Sequence, residues 1–179
     1  GVRLLEGGGA SIPPGNGGLH ALETLDVSGL APLPVDGVVA LTDVVNPLFG
    51  ELGAASVFGP QKGAAVDDVP TLEAGLARFA EVLGGAPETS GDVAALTARA
   101  GSGAAGGTGF GVLAIGGEIS AGAIAVADAI GLPALVRGAD LVITGEGSFD
   151  AQSEAGKVPS LVRALAGEEG ARFGVIAGR

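Results

Sequence analysis

Residues 139–177 read ADLVITGEGSFDAQSEAGKVPSLVRALAGEEGARFGVIA and contain two apolar runs on either side of a Gly-rich loop and a helical pattern. In residues 140–144 an aspartate is followed by an apolar run of strand length, which predicts a buried strand. A Gly-rich loop follows, and apolar residues at helical spacing then predict a helix over residues 156–166. Residues 173–177 are a second run of strand length. Because a strand, a helix and a second strand connect by a right-handed crossover, the stretch predicts a parallel sheet and an α/β fold.

The rest of the chain also contains patterns that predict strands and helices. Residues 2–5 and 38–41 read as strands, the second of them bounded by Gly37 and Asp43 and expected to be buried. Pro70 followed by apolar residues at positions 72, 76, 79, 82 and 83 predicts an amphipathic helix that ends at Gly84-Gly85. Shorter helices are predicted over residues 92–99 and 121–130.

The composition is that of a globular protein. With 179 residues, 47% of them hydrophobic, the chain is long enough for one well-buried domain or for parts of two. A modest composition shift near Gly138 predicts a boundary there, which divides the chain into residues 1–138 and 139–179.

The charge excludes two classes of partner. A formal net charge of −11 repels phosphate backbones and anionic lipid, so neither nucleic acid nor a membrane surface is expected to bind. The aromatic residues are six Phe, with no Trp or Tyr, which also argues against stacking on bases. If the substrates are anions, the few cations must lie where they bind, so each lysine is a candidate site residue.

The absence of cysteine excludes disulfides and thiolate metal sites and fits an intracellular, cytoplasmic enzyme. The most apolar stretch, residues 119–136, contains Asp128, Gly131 and Pro133, and therefore predicts a buried helix pair rather than a membrane span. No methionine occurs, even at position 1. We therefore expect the chain to be a fragment of a longer protein.

The first candidate site is the loop Thr144-Gly-Glu-Gly-Ser-Phe-Asp150, directly after a predicted strand. Ligands of open α/β sheets bind beyond the carboxyl ends of the strands. Gly145 and Gly147 would let the backbone approach a phosphate, Glu146 and Asp150 offer hard oxygens for Mg²⁺, and Lys157 could neutralise a phosphate oxygen. The alternative is a plain strand-to-helix turn with Asp150 or Ser153 as the helix cap.

The second candidate site, Thr42–Leu48, also follows a predicted strand. Asp43 is a candidate acid or base, and Asn46 is a candidate hydrogen-bond donor. The alternative is an Asx turn before Pro47.

The third candidate site is Phe58–Gly63, where Lys62 stands between turn residues, as a lysine that binds an anionic group should. Gln61 beside it is a candidate substrate-binding residue. The alternative is a solvated loop lysine, and the scarcity of cations favours the functional interpretation.

The fourth segment, Gly106–Gly111, is only loosely similar to a dinucleotide-binding fingerprint, because no strand clearly precedes it. A loop that runs into a closely packed, buried helix over residues 103–115 is the better interpretation. His20, the only histidine, is expected to be structural.

Several of these segments carry a family resemblance. They are Ile12–Gly15, Asp43 with Asn46–Leu48, Gly53–Ala55, Val57–Ala64, Gly103–Gly107 with Gly109, Ala139–Gly147, Asp150, Gln152-Ser153 and Gly156–Pro159. In this order and combination the chain resembles the middle-to-C-terminal portion of the bacterial-type glycerate kinase family. It departs from that family at Ser148-Phe149, where members often carry Arg-Leu.

The resemblance implies an α/β fold of two lobes, with parallel or mixed sheets and substrates in the cleft between the lobes. Residues 1–138 would form part of an inserted lobe, and residues 139–179 would form a return segment of a Rossmann-like first lobe. The family's N-terminal section has no counterpart in this sequence. A missing N-terminal section of the same enzyme, or a second copy of the chain, is therefore an expected partner.

The resemblance also implies an activity, namely ATP-dependent phosphoryl transfer to a hydroxyl of D-glycerate with ATP and Mg²⁺ as cofactors. Lys62 and Lys157 would bind anionic groups, and Asp43 would orient or deprotonate the attacking hydroxyl. Glu146 and Asp150 would help to place Mg²⁺. The remaining candidate binding residues are Asn46, Gln61, Gly145, Gly147 and Ser148.

Two other functions remain open at this point. One is a nucleotide-dependent oxidoreductase built on the Gly107–Gly111 segment, which would bind NAD. The other is a non-catalytic lobe that binds a ligand or pairs with a missing segment, and it would fold without turnover.

Overall fold

A computed structural model of the chain describes residues 1–87, 89–147 and 158–178. The chain divides into two compact units, residues 1–119 and residues 120–179. This division falls before the boundary predicted at Gly138. The two lobes predicted over residues 1–138 and 139–179 stay a prediction.

The first unit combines short strands with helices on one core. Its strands are β1 (Arg3–Leu5), β2 (Thr24–Asp26) and β3 (Val39–Thr42), and its helices are α1 (Ala54–Phe58), α2 (Val69–Gly84), α3 (Val93–Ala98) and α4 (Ala104–Ala114). Short 3₁₀ turns span Asn16–Ala21, Pro60–Lys62 and Val66–Asp68. β1 pairs with β2 in antiparallel register, and β4 (Glu118–Ala121) crosses the division and pairs with β3.

The core of this unit forms where α2 meets α1 and α4. Its buried residues are Leu48, Ala54, Ala55, Leu76, Ala80 and Phe110. The ring of Phe110 is fully buried and meets the ring of Phe79 edge to face at 5.8 Å between centroids. Burial of a side chain of this size contributes about 1.5–3 kcal/mol. α2 and α4 are therefore held together chiefly by apolar packing.

Helix α2 confirms the amphipathic pattern of residues 70–83. Pro70 lies in the first turn, where its missing N–H has no intrahelical partner to lose. Leu76 and Ala80 are buried, and Leu72, Phe79 and Leu83 pack against the same core. Buried Gly75 lets the 3₁₀ turn come close, because a methyl group there would lie 3.0 Å from Asn16 Oδ1.

The second unit confirms the crossover predicted from residues 139–177. β5 (Leu141–Glu146) and β6 (Arg172–Ala177) pair in parallel, with Leu141 opposite Arg172 and Glu146 opposite Ala177. Helix α7 (Val158–Glu168) packs on this pair, and its buried residues are Pro159, Val162 and Ala166. The α/β fold class is therefore confirmed.

The burial predicted for two strands is wrong. Val39 and Leu41 of β3 are 50% and 51% exposed, and Leu141 and Ile143 of β5 are 48% and 57% exposed. The residues between them are half-buried. In the part of the chain that the structure describes, each strand pairs with one neighbour and packs helices on one side, so burial alternates along it.

The apolar stretch over residues 119–136 contains the predicted helix pair, α5 (Gly122–Ala129) and α6 (Leu132–Val136). Ala127 and Val136 are buried, whereas Ile124 and Leu135 are more than half exposed. No helix among the described residues is long and apolar enough to cross a membrane.

One exposed ion pair predicts a pH dependence of stability. Hydrogen bonds from Ser28 and Arg3 to the Asp26 carboxylate hold the pKa of Asp26 well below its usual range. This stabilisation is therefore present above pH ~4, the ordinary aspartate pKa, and is lost as the pH falls below it. The melting temperature of the Asp26→Asn variant should be lower than that of the wild type at pH 7. The two melting temperatures should converge as the pH falls. Thermal unfolding between pH 7 and pH 2.5 measures the gap, and a gap that stays constant to the lowest pH would contradict the assignment.

Candidate functional site

The backbone around Lys62 is fixed by successive turns. The 3₁₀ turn Pro60–Lys62 follows α1, and Gly63 continues it with φ of 95°. The Lys62 N–H and the Ala64 N–H both donate to the Gly59 carbonyl, at 3.0 and 3.1 Å. Lys62 is therefore presented by ordered backbone, although its side chain is exposed and makes no salt bridge to any residue that the structure describes.

Lys62 lines a cavity of about 410 Å³ inside the first unit, called here the Lys62 cavity. Segments far apart in the chain form its wall. The lining residues are Gly15, Asn16, Ala54, Ala55, Phe58, Gly59, Lys62, Ala64, Leu72, Ala105 and Gly106. Among the described residues that line it, Lys62 has the only charged side chain, so Lys62 supplies the positive charge of this cavity.

The wall formed by Ala105 and Gly106 has an unusual backbone. Ala105, Gly106 and Gly107 all have positive φ, of 50°, 72° and 100°, before regular helix begins in α4. A left-handed alanine is strained, and such strain tends to occur at functional sites. Neither the Ala105 N–H nor the Gly106 N–H donates to a described residue outside α4. The left-handed backbone of Ala105 and Gly106 thus borders the same space as Lys62, and backbone of this kind can present N–H groups to an anion.

Asn16 is a second polar side chain of the Lys62 cavity. It also lines a neighbouring cavity of about 430 Å³ with residues 11–15, and Gly106 borders both spaces. The Asn16 Oδ1 atom is buried and has no hydrogen-bond partner among the described residues. The Asn16 side chain thus combines a buried oxygen, which lies beside Gly75, with a position on the lining of both cavities.

Asp43 and Asn46 lie elsewhere in the first unit. Asp43 follows β3 and is exposed, and neither residue lines the Lys62 cavity. The Asn46 Nδ2 donates to the Leu52 carbonyl at 2.7 Å, which closes the turn into α1. This bond gives Asn46 a structural role, and it differs from the predicted Asx turn before Pro47.

The segment that contains Asp43 and Asn46 is hydrogen-bonded to the segment before α4. The Gly103 N–H donates to the Asn46 carbonyl at 3.0 Å. The Thr97 carbonyl accepts both the Leu48 N–H at 2.9 Å and the hydroxyl of fully buried Ser102 at 2.8 Å. Residues 42–48 and 97–103 therefore hold one fixed register, and residues 97–103 lead directly into the left-handed turn of the Lys62 cavity.

The Gly-rich loop predicted as a site begins in the second unit. Gly145 and Glu146 end β5, and Gly147 follows it, so these residues stand at the carboxyl end of the strand as predicted. Glu146 is half-buried, and its carbonyl accepts the Gly178 N–H at 3.2 Å. Ser148, Asp150, Ser153 and Lys157 lie outside the described residues.

The lining of the cavity contains residues that the sequence did not place beside Lys62. The structure places Lys62, Asn16, Ala105 and Gly106 on the lining of one cavity, whereas Gln61 is exposed and does not line it. The Gly15-Asn16 pair after two prolines is a signal that could have drawn attention to Asn16. Ala105 gives no such signal, because alanine is not typical of left-handed backbone.

The Gly106–Gly111 segment lies within α4 rather than between a strand and a helix, so its position does not match a dinucleotide-binding loop. Gly109 instead lets α4 approach the Gly101 carbonyl, which agrees with the expectation of close helix packing. The described residues contain no group of three or more His, Cys, Asp or Glu side chains that could hold a metal ion. His20 is exposed, and its Nδ1 lies 2.6 Å from the Gly17 carbonyl oxygen of the same 3₁₀ turn.

Comparison with known proteins gives consistent matches. The model of the glycerate kinase family matches residues 1–179. The glycerate 2-kinase of Escherichia coli K12 and the glycerate kinase of Bacillus subtilis 168 are each 41% identical to the chain, over 89% of its length and 41% of theirs. A crystal structure assigned to glycerate kinase 2 from Salmonella typhimurium LT2 superposes with a TM-score of 0.77 at 34% identity, over 99% of this chain and 50% of that one. The chain thus spans about two-fifths to one-half of the length of these relatives.

Proposed function

The chain belongs to the glycerate kinase family, and from this premise we propose that its protein transfers the γ-phosphoryl group of ATP to a hydroxyl of D-glycerate. The proposal extends to ATP as donor, Mg²⁺ as cofactor and the cytoplasm as location. A nucleotide-dependent oxidoreductase is no longer supported, because the family is one of kinases and the Gly107–Gly111 segment lies within a helix.

The observation that carries the proposal is the convergence of three segments on the Lys62 cavity. Gly15, the residues around Lys62, and Ala105-Gly106 belong to separate segments that resemble the family, and they line the same space. Both substrates are anions, and the protein has a net charge of −11. An ammonium group without a described salt bridge, beside the left-handed backbone of Ala105 and Gly106, therefore favours binding of the glycerate carboxylate or of a nucleotide phosphate there.

Phosphoryl transfer depends mainly on positioning and on charge neutralisation. In the proposed reaction the glycerate hydroxyl oxygen forms a bond to the γ-phosphorus, the bond to the bridging oxygen breaks, and ADP leaves. Lys62 binds and orients the anionic group, and Asp43 orients the hydroxyl or accepts its proton. Asn46, Gln61, Gly145, Gly147, Ser148 and Lys157 remain proposed binding residues.

A divalent cation is proposed to bind in the second unit. Mg²⁺ commonly takes one or two carboxylates together with phosphate oxygens and water. The half-buried Glu146 carboxylate at the end of β5 offers one such ligand, and Asp150 is the proposed second. When bound, the cation would neutralise charge on the phosphates.

The test is a kinase assay on the full-length gene product. ADP formation should depend on both ATP and D-glycerate, with L-glycerate as a matched control, and ³¹P NMR should identify a phosphoglycerate product. The 179-residue chain is assayed in parallel. Binding of D-glycerate without turnover in the full-length product would favour the non-catalytic lobe instead.

A further inference from the structure

Glu73 of α2 has a contact that the proposed reaction does not use. Its Oε1 accepts the backbone N–H of Gly50 at 2.5 Å, across 23 positions of sequence. Its Oε2 is buried and has no hydrogen-bond partner among the described residues. Burial of a carboxylate costs free energy unless it is compensated, so a strong, charge-assisted bond to Gly50 is the expected compensation.

Gly50 begins the segment of hydrogen-bonded turns and helix that ends at Lys62. It adopts φ of 89°, and its carbonyl accepts the Gly53 N–H at 2.8 Å in the turn before α1. α1 begins at Ala54, and both Ala54 and Ala55 are buried and line the Lys62 cavity. The bond from Glu73 therefore fixes the turn from which one wall of the cavity starts.

The same segment continues from α1 to the ammonium group. The Gly59 N–H donates to the Ala55 carbonyl at 3.0 Å, and the Gly59 carbonyl accepts the Lys62 N–H at 3.0 Å. The segment from Gly50 to Lys62 is thus a chain of short hydrogen-bonded turns. A shift of the Gly50 turn would move the backbone that presents Lys62. Misplacement of a substrate-binding group by about 1 Å can lower turnover by about 10²-fold.

We propose that Glu73 is a positioning residue, which holds the Gly50 turn against α2 and thereby sets where the Lys62 ammonium meets the anionic substrate. This inference rests on the proposed function and deepens it, because it assigns the geometry of the Lys62 cavity to a residue that does not line that cavity. Glu73 acts through Lys62 and does not touch substrate.

Glu73→Ala in the full-length gene product should lower kcat/KM for D-glycerate by about tenfold or more. The variant should still fold, because Gly50 is exposed and its N–H can bind water instead. Glu73→Gln keeps an acceptor oxygen at the same reach and should restore most of the loss. Glu73→Asp keeps the charge but is one methylene shorter, so it should resemble alanine. Glu81→Ala removes a carboxylate from the exposed side of the same helix and should leave kcat/KM unchanged.

A double-mutant cycle separates positioning from general damage. Adding Glu73→Ala to Lys62→Ala should cause little further loss, because the residue through which Glu73 acts is already gone. Additive losses, or a Gln variant as impaired as the Ala variant, would overturn the inference. Amide exchange at Gly50 gives an independent readout on the 179-residue chain, and it should speed up in Glu73→Ala while the amides of α2 stay protected.

The outcomes also separate this inference from the proposed function. No phosphorylation of D-glycerate by the wild type would overturn the proposed function. Turnover that is lost in Lys62→Ala and untouched in Glu73→Ala would overturn the positioning role alone.

Discussion

Lys62→Ala should lower kcat/KM of the full-length gene product for D-glycerate by about 10²–10³-fold, the loss that follows removal of one well-placed charge-stabilising donor. Lys62 supplies the positive charge of its cavity among the described residues. The variant should fold normally, because the Lys62 side chain is exposed. Initial-rate kinetics with ATP and D-glycerate measure the effect, and the melting temperature serves as a check on folding.

Two further variants make this result specific. Arg99→Ala removes the same charge from an exposed position of the first unit that does not line the cavity, and its kcat/KM should match the wild type. Lys62→Arg keeps the charge but replaces a compact ammonium with a planar fork, so only partial activity is expected. If Lys62→Ala retained kcat/KM within about threefold of the wild type, the proposed role of Lys62 would be wrong.

Gly109→Ala should destabilise the first unit by about 3 kcal/mol, near the upper end of the usual cost of overpacking. A methyl group at this position of α4 would lie 2.2 Å from the Gly101 carbonyl oxygen and 3.3 Å from Ile119 Cδ1. The oxygen belongs to buried backbone that also accepts the Ala104 N–H, so it cannot give way cheaply. A loss of this size is a large part of the stability of an ordinary domain.

Gly111→Ala is the matched control on the same helix. Nothing lies within 4 Å of a methyl group at Gly111, so the variant should gain about 0.5–1 kcal/mol from the lower conformational entropy of the unfolded chain. Urea unfolding of the 179-residue chain, followed by circular dichroism, gives both values. Equal destabilisation by the two substitutions would contradict the close approach of α4 to Gly101.

Local sequence patterns predicted those helices and strands that are determined mainly by residues close together in the chain. Pro70 and the apolar spacing after it located α2, and the two apolar runs around the last helix predicted the parallel pair β5 and β6. The burial of β3 and β5 could not be predicted in the same way. A continuous apolar run does not reveal how many neighbours a strand has, and that number decides whether Leu41 or Ile143 is covered.

The candidate site shows the same limit. The turn around Lys62 was predictable, because Gly59, Pro60 and Gly63 are turn residues. Asn16 and Ala105 line the Lys62 cavity only through tertiary packing, at separations of more than forty positions, and no local signal relates either residue to Lys62. The roles of Asp43, Gln61 and Glu146 stay predictions, since neither of the first two lines the Lys62 cavity and Glu146 belongs to the other unit.

The Thr97 carbonyl accepts two hydrogen bonds and thereby couples the unfolding of two stretches of the chain. Because Leu48 N–H and the Ser102 hydroxyl both bind that oxygen, residues 42–48 cannot leave without disturbing residues 97–103. The two stretches therefore melt as one cooperative block rather than fraying separately. A protease should then find the Asp43–Asn46 loop resistant despite its exposed side chains, and its cutting rate should track the stability of the whole block.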